Sequence, residues 1–143
     1  MNAGQGDRRR VEQAGPSGVA GGPGMTGKRI MIVEDEALVA MMVEDLLGDL
    51  GYEVAGSFGA VGDALAWLDG DQAPPDGAVL DVNIGGEMVF PVAEALRARG
   101  VPFVFATGYG DLPRRGFENI SVLSKPINIG QLGVAVSRFG QGA

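Results

Sequence analysis

The stretch that decides the fold is Gly77-Ala78-Val79-Leu80-Asp81-Val82-Asn83, a short apolar run that closes on a carboxylate. Three other runs follow the same plan, each closing on a different polar group: Ile30 to Val33 on Glu34-Asp35, Val101 to Ala106 on Thr107, and Ile120 to Ser124 on Lys125. Runs this short and apolar, separated by longer segments with helical spacing, read as buried parallel strands joined by crossover helices. Sheets of this kind bind ligands outside the carboxyl ends of their strands. Three carboxylates, a hydroxyl and one lysine therefore converge on one edge, a set suited to an oxygen-ligated Mg2+ and an anionic phosphoryl group.

The intervening segments complete the rhythm. Leu38, Val39, Met42, Val43, Leu46, Leu47 and Leu50 recur at three- and four-residue spacing and predict an amphipathic helix that Gly51 ends. A second, more polar strand spans Tyr52 to Ser57, a helix covers Val61 to Leu68, and Pro74-Pro75 breaks the chain before the third strand. After Asp81 the pair Gly85-Gly86 predicts a loop, and Val89, Val92, Ala93 and Leu96 mark a third helix ending near Gly100. The last helix starts after Pro126 and buries Ile129, Leu132, Val136 and Phe139. The expected fold is α/β: a doubly wound, five-stranded parallel sheet in one of the common doubly wound orders, forming one domain over residues 28–140. Between Thr107 and Ile120 stand Gly108, Gly110, Pro113 and Gly116, with Leu112 and Phe117 as the only large aliphatic or Phe residues, so the fourth helix is expected to be short or irregular. Residues 1–27 hold 8 of the 25 glycines, with Pro16 and Pro23 and no apolar periodicity, and are expected to form a disordered leader.

Composition narrows the chemistry. The net charge of -7 divides into +1 over residues 1–27 and -8 over 28–143, which argues against nucleic acid as a direct partner. The chain has no Cys and no His, which removes disulfides, thiolate and histidine metal sites, histidine acid-base catalysis and any role as a phosphohistidine carrier. Carboxylate and lysine chemistry remain. No apolar run reaches the roughly 18 residues of a membrane span, and the basic amino terminus lacks the apolar core of a secretory signal, so the expected location is the cytoplasm.

Taken singly, the site residues are ordinary. A strand-end Asp is commonly a loop residue or a helix cap, a strand-end Thr a plain hydroxyl, and a lone Lys a solvated charge. Context changes the reading of Asp81, because a second strand also ends on acids, Glu34-Asp35. Two carboxylates about 4 Å apart repel by about 4 kcal/mol at an effective dielectric near 20, so three together call for a cation. Lys125 then offers a point charge to one phosphoryl oxygen and Thr107 a hydroxyl to another.

Four ordered motifs carry a family resemblance. Val33-Glu34-Asp35-Glu36, Leu80-Asp81-Val82-Asn83, Ala106-Thr107-Gly108 and Ser124-Lys125-Pro126 resemble the acidic pair, phosphoacceptor strand, switch hydroxyl and lysine-proline signature of response regulator receiver domains. The resemblance implies that Asp81 accepts a phosphoryl group from a phosphohistidine on a histidine kinase or histidine phosphotransfer protein. It further implies Mg2+ held by Asp35, Asp81 and the backbone carbonyl of Asn83, with Glu34 acting through water and with Thr107 and Lys125 on the phosphoryl oxygens. A cis Lys125-Pro126 bond and a flavodoxin-like sheet in the order 2-1-3-4-5 are expected on the same ground. The chain would be a stand-alone signalling protein with slow self-hydrolysis, not a metabolic enzyme, acting through protein contacts, with a homodimer left open. Pro102-Phe103-Val104-Phe105-Ala106-Thr107-Gly108-Tyr109 resembles, more narrowly, the signature of single-domain receivers associated with the general stress response.

Two departures bear on the switch. Receivers usually carry Tyr or Phe three residues before the lysine, where this chain has Val122, and the 18-residue interval from Thr107 to Lys125 is short for the family. The segment 108–119 is therefore expected to be the partner-facing switch, with Tyr109 taking the aromatic role. Two other readings compete. A Mg2+-dependent phosphohydrolase with Asp81 as nucleophile would want an acid-base Asp where Asn83 stands, and a phosphorylation-independent interaction module would not need the intact set of Glu34, Asp35, Asp81, Thr107 and Lys125.

Overall fold

Each apolar run becomes a strand because its side chains are claimed on both faces of a sheet. The computed structural model describes residues 28–108 and 116–139. In chain order its elements are β1 (Arg29–Val33), α1 (Ala37–Asp49), β2 (Glu53–Phe58), α2 (Val61–Leu68), β3 (Gly77–Asp81), β4 (Asn83–Ile84), β5 (Glu87–Met88), α3 (Phe90–Ala98), β6 (Phe103–Thr107), β7 (Val122–Ser124) and α4 (Ile129–Ser137). Five strands form a sheet in the order β2-β1-β3-β6-β7, every pair parallel, which is the expected 2-1-3-4-5 order of the main strands.

Alternation along the strands divides the core in two. Ile30, Ile32, Val79, Val104, Ala106 and Leu123 pack with Val43 and Leu47 of α1 and Leu132 and Val136 of α4. Met31, Val33, Ala78, Leu80, Phe103 and Phe105 pack with Ala64 and Leu68 of α2 and Val92 and Leu96 of α3. A period of two in a strand sends successive side chains to opposite faces, so a run apolar at every position needs helices on both.

Register positions the site. Val33 pairs with Leu80, Asp81 with Ala106 and Thr107 with Ser124. The carboxyl ends of β1, β3, β6 and β7 are thus level, and the polar residue closing each run emerges on one edge.

The loop expected at Gly85-Gly86 is a hairpin. β4 and β5 pair antiparallel, Asn83 with Met88 and Ile84 with Glu87, around a two-residue turn. Gly85 has φ 60° and Gly86 φ 92°. Positive φ at both central residues defines the type I′ turn, whose twist suits a tight hairpin and which glycine enters without steric cost. The helix expected to be short or irregular falls largely on residues 109–115, outside the described residues, as do the leader 1–27 and Tyr109. No helix among the described residues is long and apolar enough to cross a membrane.

Candidate functional site

The four strand ends bring most of the predicted site residues together. Glu34 continues β1 by donating its backbone N–H to the Phe58 carbonyl at 2.9 Å, which fixes the start of the acidic pair. Its side chain is buried, whereas Asp35 is exposed at the mouth. Asp81 closes the central strand and is only 8% exposed; Thr107 closes β6 and is buried. Lys125 follows β7, and its backbone N–H donates to the Thr107 carbonyl at 2.9 Å. The Lys125-Pro126 bond is cis, as the resemblance implies.

Lys125 joins the two buried acids. Its Nζ donates to Glu34 Oε1 at 2.8 Å and to Asp81 Oδ2 at 3.1 Å. The other Glu34 oxygen, Oε2, accepts the Glu36 backbone N–H at 3.0 Å. Asp35 Oδ2 accepts the Gly85 N–H of the hairpin at 2.9 Å, and Asn83 Oδ1 accepts the Gly86 N–H at 2.9 Å. One carboxylate oxygen each from Glu34, Asp35 and Asp81 lie within 4.8 Å of one another. The cleft above them has a volume of about 450 Å³, with Asp35, Asp81, Asn83, Gly85, Gly108 and Lys125 in its wall.

The electrostatics follow from this burial. Loss of solvent pushes the Asp81 carboxyl up to about 6; the Lys125 hydrogen bond pulls against that rise and the nearby Glu34 charge adds to it. For Lys125, burial disfavours the charged form, but the hydrogen bonds to Glu34 and Asp81 outweigh it and its pKa is raised. Asp81 is therefore a desolvated carboxylate whose charge one lysine only partly compensates. Hard oxygen donors clustered within 4.8 Å suit Mg2+, which takes one or two carboxylates and keeps other positions for water or phosphoryl oxygen. The residues present fit that ion.

Sequence reasoning missed three contributors: the backbone amides of Glu36 and Gly85, and the hairpin that carries the second. The Gly-Gly pair was the available signal, since it is a favoured two-residue hairpin turn. Val122, which departs from the aromatic usual at its place in the resembling family, lies beside Phe105 in register and packs against the α2 and α3 side of the core. That side is aromatic all the same: the Phe105 centroid lies 5.7 Å from Phe90, 5.6 Å from Phe103 and 5.8 Å from Phe117, and the Arg97 guanidinium sits 4.1 Å above the Phe117 ring. Phe117 comes from the return segment between β6 and β7 and supplies a ring that spacing alone did not place.

Comparison with known proteins converges on one family. The family profile described as response regulator receiver domain matches residues 30–137. The chain is 30% identical over 121 residues to the transcriptional regulatory protein PdtaR of Mycobacterium tuberculosis, a match covering 78% of this chain and 58% of that protein, so the chain spans little more than half the length of this relative. It is similar to the solution structure of SdrG from Sphingomonas melonis Fr1, with 43% identity and a TM-score of 0.69 over 79% of this chain and 96% of that one. It is also similar to the solution structure of the BeF3-activated conformation of SdrG from Pseudomonas melonis Fr1, with 43% identity and a TM-score of 0.66 over 78% of this chain and 95% of that one.

Proposed function

This chain belongs to the response regulator receiver family, and on that premise we propose that it is a phosphoacceptor switch, taking a phosphoryl group on Asp81 from a phosphohistidine of a histidine kinase or histidine phosphotransfer protein. The observation that carries the reading is the convergence of Asp81, Glu34 and Asp35 with Lys125, whose Nζ reaches Asp81 at 3.1 Å. An Asp81 oxygen attacks phosphorus in line, the P–N bond breaks, and its electron pair returns to the imidazole. Such a transfer asks the protein for positioning and charge neutralisation more than for proton chemistry. Lys125 shifts from its bridge between the acids toward a phosphoryl oxygen, and the Thr107 hydroxyl takes another. Mg2+, when held by Asp35, Asp81 and the Asn83 carbonyl, offsets the charge of the phosphoryl oxygens. The acyl phosphate hydrolyses slowly, so the protein is a timed switch, and its output travels by protein contact, with general stress signalling as its setting.

The hydrolase reading has less support. Asn83 stands where that mechanism wants an acid-base carboxyl, and its side-chain oxygen is engaged with the Gly86 amide. The deciding experiment is incubation with a low-molecular-weight phosphodonor, with and without Mg2+, followed by intact mass. The expected result is one added phosphoryl group, lost on removing Mg2+ and in Asp81→Asn. Equal labelling of Asp81→Asn sinks the assignment, and sustained turnover of a phosphate monoester favours the hydrolase.

A further inference from the structure

Asp35 is exposed, and its side chain reaches across the cleft to the turn of the β4–β5 hairpin. Its Oδ2 accepts the Gly85 N–H at 2.9 Å. The turn is itself pinned, because Asn83 Oδ1 accepts the Gly86 N–H at 2.9 Å.

Hairpin register also orients Asn83. In an antiparallel pair, hydrogen-bonded and non-hydrogen-bonded residue pairs alternate. Ile84 and Glu87 flank the two-residue turn, and Val89 donates to the Val82 carbonyl at 2.9 Å, so the intervening pair, Asn83 with Met88, is the non-hydrogen-bonded one. The backbone carbonyl of Asn83 is consequently directed away from β5.

We propose that the β4–β5 hairpin is the positioning device of the metal site: the Gly85 N–H holds the Asp35 carboxylate by one oxygen and leaves the other for the ion, while the ladder turns the Asn83 carbonyl outward. This rests on the reading of Asp35 and Asn83 as metal ligands and deepens it, by making Gly85, which supplies no ligand atom, a determinant of affinity. Groups that orient a metal ligand commonly matter about 10- to 100-fold to metal affinity. Coupling runs both ways, so an ion on Asp35 tightens the turn as much as the turn favours the ion.

The test is Mg2+ titration by calorimetry of the full chain, with thermal melts confirming that each variant is folded. Gly85→Asn keeps the N–H and creates the favoured Asn-Gly pair of a type I′ turn, and a Cβ atom there meets nothing within 4 Å. Gly85→Pro removes the N–H and fixes φ near about -65°, opposite in sign to the native value. Gly85→Asn is expected to bind Mg2+ close to the parent, and Gly85→Pro at least about tenfold more weakly. A folded Gly85→Pro with the parent's affinity overturns the hairpin's role and leaves the phosphoacceptor reading standing, whereas a parent that binds no Mg2+ overturns both. In the unaltered protein, saturating Mg2+ is expected to slow amide exchange at Gly85 and Gly86; unchanged exchange in a protein that binds the ion also overturns the proposal.

Discussion

Leu80 and Asp81 are adjacent in β3 and both are buried, yet their surroundings are opposite in kind. Leu80 is fully enclosed among Met31, Phe105, Val92 and other apolar side chains of the α2 and α3 face. Asp81, one residue further, shares its space with Glu34 and with the lysine that bridges them. Burial contributes stability at the first position and costs it at the second. The sheet interior thus holds the fold, and its carboxyl edge holds an excess of negative charge that a cation would settle. The division predicts that truncation destabilises the interior, whereas neutralising the right charge at the edge stabilises.

The largest effect is expected in the interior. Phe105 is fully buried and meets three other rings. Phe105→Ala is expected to cost about 3–5 kcal/mol in denaturant unfolding, through lost transfer energy and the cavity left behind. A loss below about 1 kcal/mol would mean that the cluster collapses readily and the interior is not the rigid half of the comparison.

Asp81→Asn should go the other way. Burial raises the Asp81 pKa from 3.8 to about 6. The folded state therefore keeps a proton that the unfolded chain releases from about pH 4 upward, and stability falls as pH rises through that window. At about 1.4 kcal/mol per pKa unit, the variant is expected to exceed the parent by up to about 3 kcal/mol above pH 7 without Mg2+, the gap closing toward pH 4. Unfolding curves across that range measure it, and a variant less stable than its parent at pH 7.5 would break the comparison. Lys125→Ala is expected to cost about 1–2 kcal/mol above pH 6, since it leaves two acids facing each other, and to lose most of that cost once Asp81 is also Asn.

The comparison also explains what the sequence could say. Interior strands are legible because a fully apolar run such as Ile30 to Val33 admits few fates and βαβ connectivity makes them parallel, whereas their order comes only with the family resemblance. The edge is legible as a set of residue types but not as a network. Spacing places Lys125 near the acids without telling that its Nζ lies between Glu34 and Asp81. The hairpin reads as a loop in the sequence because two-residue strands show no alternation, although Gly85-Gly86 is a sufficient turn signal. Phe117 was visible as an isolated large residue in a glycine-rich stretch, and only the tertiary packing tells that its ring joins the Phe105 cluster.

The smallest expected effect lies on the outer surface near the same edge. Leu38 stands in the first turn of α1, three residues after Asp35, and is 80% exposed; Met41, one turn on, is 56% exposed. Residues three apart share a helix face, so the two form an apolar strip next to the mouth of the site. Leu38→Gln exchanges residues of similar helix propensity and gives up little buried area, so the change is expected to stay within about 0.5 kcal/mol. This contrasts with Phe105, for the same apolar chemistry contributes only where it is enclosed. Measuring the variant at several protein concentrations sharpens the point. A cost above about 1 kcal/mol that grows with concentration would show that a second copy covers this face, because association adds to apparent stability by mass action. A small, concentration-independent change would leave the strip as exposed surface beside the acidic cleft, where it adds nothing to the fold and remains open to a partner.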